Sequence, residues 1–262
     1  MGTLLTIDGL NIVRRMYEAN AEANPADKAD NAIKASLFAF KKLVHLHKPS
    51  HVLAAFDQGG LTWRHALYSA YKQTREPMPE ALRQALPSLF SQLNAFGICT
   101  LAVPEVEADD VIATTVLRWL NKNKGVAIIV STDKDLLSLI HHGATVWDYF
   151  KNEWHDATWV KEKFGVSPEL LPQLLALAGD SADNIPGVSQ IGLKTAARLL
   201  NAYKNIDAIL KGAGILKTTL GAKLRKDAHL LELSQQLVAL KTDVYLDLTW
   251  NKLIFTPQFV TQ

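Results

Sequence analysis

The sequence has one cysteine, Cys99, among 262 residues, which excludes an internal disulfide and any cysteine-rich zinc site and suits a reducing compartment. No apolar run approaches the ~20 residues that cross a bilayer, so no membrane partner is expected. The first apolar stretch has no basic region ahead of it and no small-residue cleavage site behind it. No export signal is therefore expected, and the expected compartment is the cytoplasm. Solenoid repeats and low-complexity tracts are also missing. Neither sign of charge dominates, with 28 basic and 26 acidic residues. What remains is an ordinary globular composition, 48% hydrophobic and 21% charged, in a chain long enough for one large domain or a medium domain with an appendage.

The net charge of +2 hides a separation along the chain. Between Gly187 and Lys226 stand Lys194, Arg198, Lys204, Lys211, Lys217, Lys223, Arg225 and Lys226 against the single acid Asp207, a local charge of +7 that leaves −5 for the rest. A basic segment beside an acidic remainder suits a protein that holds phosphates with one part and gathers cations with another. The plainer alternative is a lysine-rich solvated helical surface.

Residues 1–150 alternate short β-branched runs with segments of helical period, which predicts a three-layer α/β core around a mainly parallel sheet. Strands are expected at 4–7, 51–56, 98–103, 126–130 and 145–149. Ligands in such sheets gather at the carboxyl ends of strands. Asp8 follows the first, Asp57 the second, Glu107, Asp109 and Asp110 lie beyond the third, and Asp133 and Asp135 follow the fourth. Residues 61–97 differ in kind, with aromatic and basic residues mixed ahead of Pro77 and Pro79, then an amphipathic helix predicted at 80–96. From about residue 158 strand signals stop. Helices are predicted at 168–179, 194–203, 206–210 and 221–240, and a domain boundary is placed near 155.

Several constellations carry chemistry. Val106-Glu107-Ala108-Asp109-Asp110 puts three acids at the start of a helix. One acid suffices to complement the helix dipole, a gain of ~0.3–1 kcal/mol, and three in four residues repel one another. Hydrolysis of a phosphodiester with hard cations needs such oxygen donors. Ser131-Thr132-Asp133-Lys134-Asp135 breaks a buried-type strand into Asp-x-Asp, which alone is also compatible with an N-cap. Gly179-Asp180-Ser181-Ala182-Asp183-Asn184 brings two more acids, in a composition that is also ordinary turn chemistry. Ile185-Pro186-Gly187-Val188-Ser189-Gln190-Ile191-Gly192-Leu193-Lys194-Thr195 reads as a glycine-containing hairpin between helices. Such a hairpin offers backbone N–H groups and a positive helix end to a phosphate, though an ordinary helical corner has the same pattern. Tyr71-Lys72-Gln73-Thr74-Arg75 places an aromatic ring beside cations, which suits single-stranded nucleic acid. Trp63 and Tyr68 have core packing as their alternative, His65 has a structural one, and His141-His142 read as a basic helix end.

Taken in order, Ile7-Asp8-Gly9, Phe56-Asp57, Tyr71-Lys72-x-x-Arg75, Val106 to Asp110, Ser131 to Asp135 and Gly179 to Val188 resemble the signature of the 5′ nuclease, or flap endonuclease, family. The resemblance spans residues 4 to about 240. It implies a PIN-like nuclease core at 1–155 with a helical arch at about 61–97. Residues 156–262 become a helical DNA-binding region, with a helix-three-turn-helix hairpin at 185–196. The implied activity is cleavage of DNA at the junction of duplex and 5′ single strand, as flap endonuclease or 5′-3′ exonuclease. The implied cofactors are one or two Mg2+ ions, with Mn2+ as a substitute, and K+. A monomer acting on DNA is expected.

Residue by residue, the resemblance implies Asp8, Asp57, Glu107, Asp109, Asp110 and Asp133 around a first metal, Asp109 foremost. Asp135, Asp180 and Asp183 fall to a second. Lys72 and Arg75 become catalytic cations of the arch, and Arg15 and Tyr71 contact DNA. Main-chain oxygens of Leu177, Ala178, Pro186, Val188 and Ile191 would hold potassium, with Gln190, Ile191, Gly192, Leu193, Lys194 and Thr195 facing the duplex. Some free-standing bacterial members lack acids of the second metal site; this sequence retains all three. A flap-binding protein that does not cut, and a PIN-like ribonuclease, are the alternative readings.

Overall fold

A computed structural model describes residues 2–122, 125–215 and 219–256. Its sheet has six strands: β1 (Gly2–Asp8), β2 (His51–Ala55), β3 (Cys99–Leu101), β4 (Gly125–Val130), β5 (Thr145–Asp148) and β6 (Glu153–His155). The order is β3-β2-β1-β4-β5-β6, parallel except for β6, which is antiparallel to β5. The sixth strand was not foreseen, because three residues are too few to display an alternating pattern.

Side-chain alternation distributes the strands between two cores, as the two-residue period of a strand requires. Leu4, Leu53 and Ile129 point to one face; Leu5, Ile7, Ala54 and Ile128 point to the other. The second face is covered by α1 (Gly9–Glu18), α2 (Pro25–His47) and, after the short α3 (Trp63–Leu67), by α4 (Glu80–Ala95). There Phe40 stacks on Phe56 at 6.3 Å between ring centroids. The first face is covered by α5 (Ala108–Asn121), whose Val111, Ile112, Val116 and Trp119 are fully buried. Each such side chain contributes ~1.5–3 kcal/mol.

The remaining helices are α6 (Ala157–Phe164), α7 (Leu171–Ala178), α8 (Leu193–Tyr203), α9 (Ile206–Ile215), α10 (Thr219–Lys226), α11 (Ala228–Val238) and α12 (Trp250–Leu253). Three expected helices differ in detail: the one at 206–210 continues to Ile215, and two others depart at a proline or a break. The one at 168–179 begins with a 3-10 turn, Pro168–Leu170, because Pro172 fits the first turn of a helix but not its interior. The one expected at 221–240 is split by Asp227, whose main chain leaves helical geometry (φ −97°, ψ 15°) and starts α11 afresh. Lys217, counted above in the basic segment, lies outside the described residues.

Strand order reverses beside β1, which is bordered by β2 and β4. The carboxyl ends of β1, β2 and β4 therefore open on one crevice, where ligands of parallel sheets bind.

Candidate active site

Asp8 ends β1 and caps α1, its Oδ1 accepting from the Asn11 amide at 3.2 Å. The turn is tight because Gly9 lies under Phe56; a Cβ there would stand 2.2 Å from the ring. Ser131, after β4, donates to Asp8 Oδ2 at 2.9 Å and accepts from the Asp133 amide at 3.0 Å. Asn11 and Thr132 close the same gap, Asn11 Nδ2 donating to Thr132 Oγ1 at 2.9 Å. From β2, Asp57 accepts from the Ala108 amide at 2.7 Å and so fixes the start of α5, which carries Glu107, Asp109 and Asp110.

These connections draw Asp8, Asp57, Glu107, Asp109 and Asp133 onto one cavity of about 500 Å³. Its other lining includes Lys72, Arg75, Arg14 and Arg15. Arg15 lies over the Phe150 ring at 4.2 Å. Of the remaining acids, Asp135 and Asp183 both sense the charge of Asp133 and of Asp180. The second group of carboxylates thus adjoins the first through Asp133.

The electrostatics record acids that are withdrawn from water and face one another. Desolvation, and then Asp133 and Asp57, push Asp8 up to about 7. Desolvation and Asp133 push Asp135 up to about 8. Asp109 is raised well above the ordinary carboxylate range by desolvation and by Asp110 and Glu107, although Arg64 pulls the other way. Glu107 moves down: desolvation opposes this, but Lys72 and Arg64 outweigh it. Besides Arg64, three cations supply part of the balance. Lys72 Nζ meets Glu107 Oε1 at 2.8 Å, Lys134 Nζ meets Asp180 Oδ2 at 2.6 Å, and Arg75 pairs with Asp183.

The 68–75 segment is tied to the 180–184 loop by the Lys72 amide on the Asp183 carbonyl at 2.9 Å and by Asn184 Nδ2 on the Ala70 carbonyl at 2.8 Å. Two expectations need correction here. Tyr71 presents no ring to a base: it is 3% exposed, packs edge-on against His65, and donates its hydroxyl to Glu107 at 3.0 Å. Asp110 does not reach the cavity; it is fully buried among Arg64, Trp63 and the Lys241 amide. Burial works against the charge of Arg64, but Asp109, Asp110 and Glu107 raise its pKa nonetheless. Arg64 was missed because a buried arginine leaves no periodic trace. The one available signal was the surplus of acids that some cation must offset.

The hairpin is formed by the 177–193 segment. The Val188 amide donates to the Leu177 carbonyl and the Ile191 amide to the Val188 carbonyl, at 2.9 and 3.0 Å. Segments 177–179 and 186–188 touch: a Cβ on Gly187, whose φ is +62°, would stand 2.3 Å from the Gly179 nitrogen. Leu177, Ala178, Pro186, Val188 and Ile191 are thereby gathered at one turn. Gly192 caps α8 without a side-chain bond, and Gln190, Gly192, Leu193 and Lys194 are exposed beside the partly buried Thr195. Ser189 is held by Asp227, its amide donating at 2.9 Å, a link between hairpin and α11 that the sequence pattern did not disclose.

A second cluster was also unforeseen. Asp148, Glu153 and His155 on the β5–β6 hairpin each offer a metal-binding atom within 4.8 Å of the others. Turn chemistry accounts for much of it: Asp148 accepts from the Phe150 and Lys151 amides at 2.9 and 3.1 Å, and His155 pairs with Glu153 at 3.0 Å.

A parallel sheet with carboxylates at its carboxyl edge, followed by a helical region with a SAM-type fold, defines a PIN-like, resolvase-like nuclease class. The description "5′-3′ exonuclease, N-terminal resolvase-like domain" matches residues 3–165, and "5′-3′ exonuclease, C-terminal SAM fold" matches 166–260. The chain belongs to the 5′-3′ exonuclease family. It is 39% identical to flap endonuclease Xni of Shewanella woodyi over 94% of this chain and 96% of that one. Against flap endonuclease Xni of Shewanella denitrificans, identity is 39% with 95% and 96% covered. Among solved structures, T5 5′-exonuclease with bound divalent zinc ions superposes with a TM-score of 0.78 at 21% identity, covering 92% of this chain and 90% of that one. The catalytic core of Rad2 in complex with DNA substrate reaches 0.59 at 17% identity, covering 95% and 81%.

Proposed function

We propose that this protein is a structure-specific 5′ flap endonuclease and 5′-3′ exonuclease that hydrolyses DNA phosphodiester bonds at junctions of duplex and 5′ single strand. The observation that carries the reading is the meeting of Asp8, Asp57, Glu107, Asp109 and Asp133 on one cavity that Lys72, Arg75 and Arg15 also line. The relatives named flap endonuclease support it.

The donor set fits a hard divalent ion: it is all oxygen, and its acids are desolvated and face one another, which raises Asp8, Asp109 and Asp135. Asp8, Asp57, Glu107, Asp109 and Asp133 would hold one Mg2+ ion, or Mn2+ in its place, and Asp135, Asp180 and Asp183 a second. When bound, such ions activate water and stabilise the leaving oxygen. Asp110, turned away toward Arg64, is not included.

Lys72 and Arg75 stand at the cavity wall, hydrogen-bonded to Glu107 and Asp183. Their role is to supply positive charge where negative charge develops on the phosphate. Arg15 holds the incoming strand by its backbone. The hairpin grips duplex phosphates through Gln190, Gly192, Leu193, Lys194 and Thr195; Ile191, expected among them, is buried with its amide on the Val188 carbonyl, and K+ is held at the main-chain oxygens of Leu177, Ala178, Pro186, Val188 and Ile191. In this reading residues 1–155 are the nuclease core, with its arch at about 61–97, and 156–262 the DNA-binding region of a cytoplasmic monomer.

The test is a labelled 5′-flap duplex incubated with protein and Mg2+, with a chelator control and a structured RNA alongside. Flap cleavage that needs the metal, spares the RNA and disappears in Asp109→Asn while flap affinity persists is the expected result. Flap binding without metal-dependent cleavage would make the protein a flap-binding factor, and preferential cleavage of RNA would make it a ribonuclease.

A further inference from the structure

Three acids in four residues cannot share one helix start without a compensating cation, because charges withdrawn from water must be paired. Arg64, on α3, is that cation. It is 1% exposed, and each of its five N–H groups has a partner. Nε donates to the Leu237 carbonyl at 2.8 Å, Nη1 to Glu107 Oε2 at 2.7 Å and to Asp110 Oδ2 at 2.9 Å, and Nη2 to Asp110 Oδ1 at 2.9 Å and the Ala239 carbonyl at 3.0 Å. Trp63 and the Lys241 amide complete the shell of Asp110, each at 2.8 Å. Asp109 stands 3.7 Å from Nη2, near the charge but outside hydrogen-bond reach.

We infer that Arg64 is a positioning residue of the acidic cavity: its guanidinium fork turns Asp110 away, orients Glu107 by one oxygen, and leaves Asp109 outside its hydrogen bonds to meet a cation. The inference rests on the divalent-metal nuclease reading of this cavity. The geometry demands arginine. Five acceptors surround the group in a planar fork, and a lysine offers only three donors from a single point. Because two of the acceptors are carbonyls at the end of α11, the same side chain fastens the nuclease cavity to the helical region that carries the hairpin.

The experiment uses the full chain, Arg64→Lys, and the double variant Arg64→Gln with Asp110→Asn, which leaves no uncompensated charge on Asp110. Two quantities are read: Mn2+ affinity by calorimetry without DNA, and kcat and KM for a labelled 5′-flap duplex with Mg2+. In both variants Mn2+ affinity and kcat are each expected to fall at least ~10-fold, as for residues that orient metal ligands, while KM for the flap is unchanged. Native values in Arg64→Lys would show the fork to be dispensable. Native values in the double variant would show that Arg64 only neutralises Asp110. Either result overturns the inference, and should Arg64→Lys fail to fold, the double variant decides. If the unaltered chain neither binds Mn2+ nor cuts the flap, the nuclease reading fails and takes this inference with it; if it does both and a variant equals it, the inference alone falls.

Discussion

At the residue scale, single side chains serve two purposes, and their titration follows. Asp8 is both the cap of α1 and a wall of the cavity, and its pKa is pushed up to about 7, with Asp135 up to about 8. A carboxyl that holds its proton more tightly when folded stabilises the protein fully below the unfolded value near ~4, and the gain is lost as pH rises through the folded value. In chelator, the melting temperature is therefore expected to decline between about pH 5 and pH 8, through the values raised for Asp8 and Asp135. Added Mg2+ should restore most at the alkaline end. Glu107, shifted the other way, acts only below that window. Thermal melts across pH with and without the ion check this, and a midpoint that climbs in chelator would contradict the burial of unbalanced acids. Within the cavity, Lys72→Ala is expected to lower kcat by ~10²–10³, the usual cost of removing one donor to developing charge, measured by single-turnover cleavage.

At the element scale, the hairpin depends on two glycines for different reasons. Gly187 has φ +62° and backbone packed against it, whereas Gly192 is extended with nothing within 4 Å of a Cβ. Gly187→Ala is expected to destabilise the fold by ~1–3 kcal/mol and to weaken duplex binding. Gly192→Ala should keep the melting temperature and weaken duplex binding alone, since the open space is where a phosphate approaches the first turn of α8. Denaturant melts beside duplex titrations separate the two, and equal behaviour of both variants would count against a phosphate at Gly192. Asp227 belongs to this scale as well. It stands at the break between α10 and α11, where its carboxylate holds Ser189 and so ties the hairpin to the start of α11.

At the scale of the whole molecule, charge is divided along the chain. The basic segment carries a net +7 and the remainder −5, the division that the proposed function needs if one region is to attract a duplex and the other cations. Binding of flap DNA to Asp109→Asn should weaken linearly in log affinity against log salt, and Lys194→Ala should reduce that slope by ~1. A slope that Lys194→Ala leaves unchanged would place the duplex elsewhere. The two regions are joined by ties too far apart in sequence to be local: Arg64 to Leu237 and Ala239, Thr114 to Lys241, and Arg118 to Val244. Packing, not a linker, sets the hairpin relative to the cavity.

What the sequence determined by itself is what local physics dictates. The buried runs of β1, β2 and β4 declared a parallel sheet, and the acids behind each strand end declared where carboxylates would converge, because a strand's direction and period are written in neighbouring residues. Gly187 and the lysines likewise announced the hairpin. Tertiary structure alone decided which groups share a charge. Glu107, Asp109 and Asp110 read alike as acids at one helix start, yet Arg64, some forty-five positions away, separates them. Tyr71, which reads like a stacking platform beside its cations, is sealed into the core with its hydroxyl on Glu107. Desolvation and pairing depend on distances through space, and those exist only after the chain has packed.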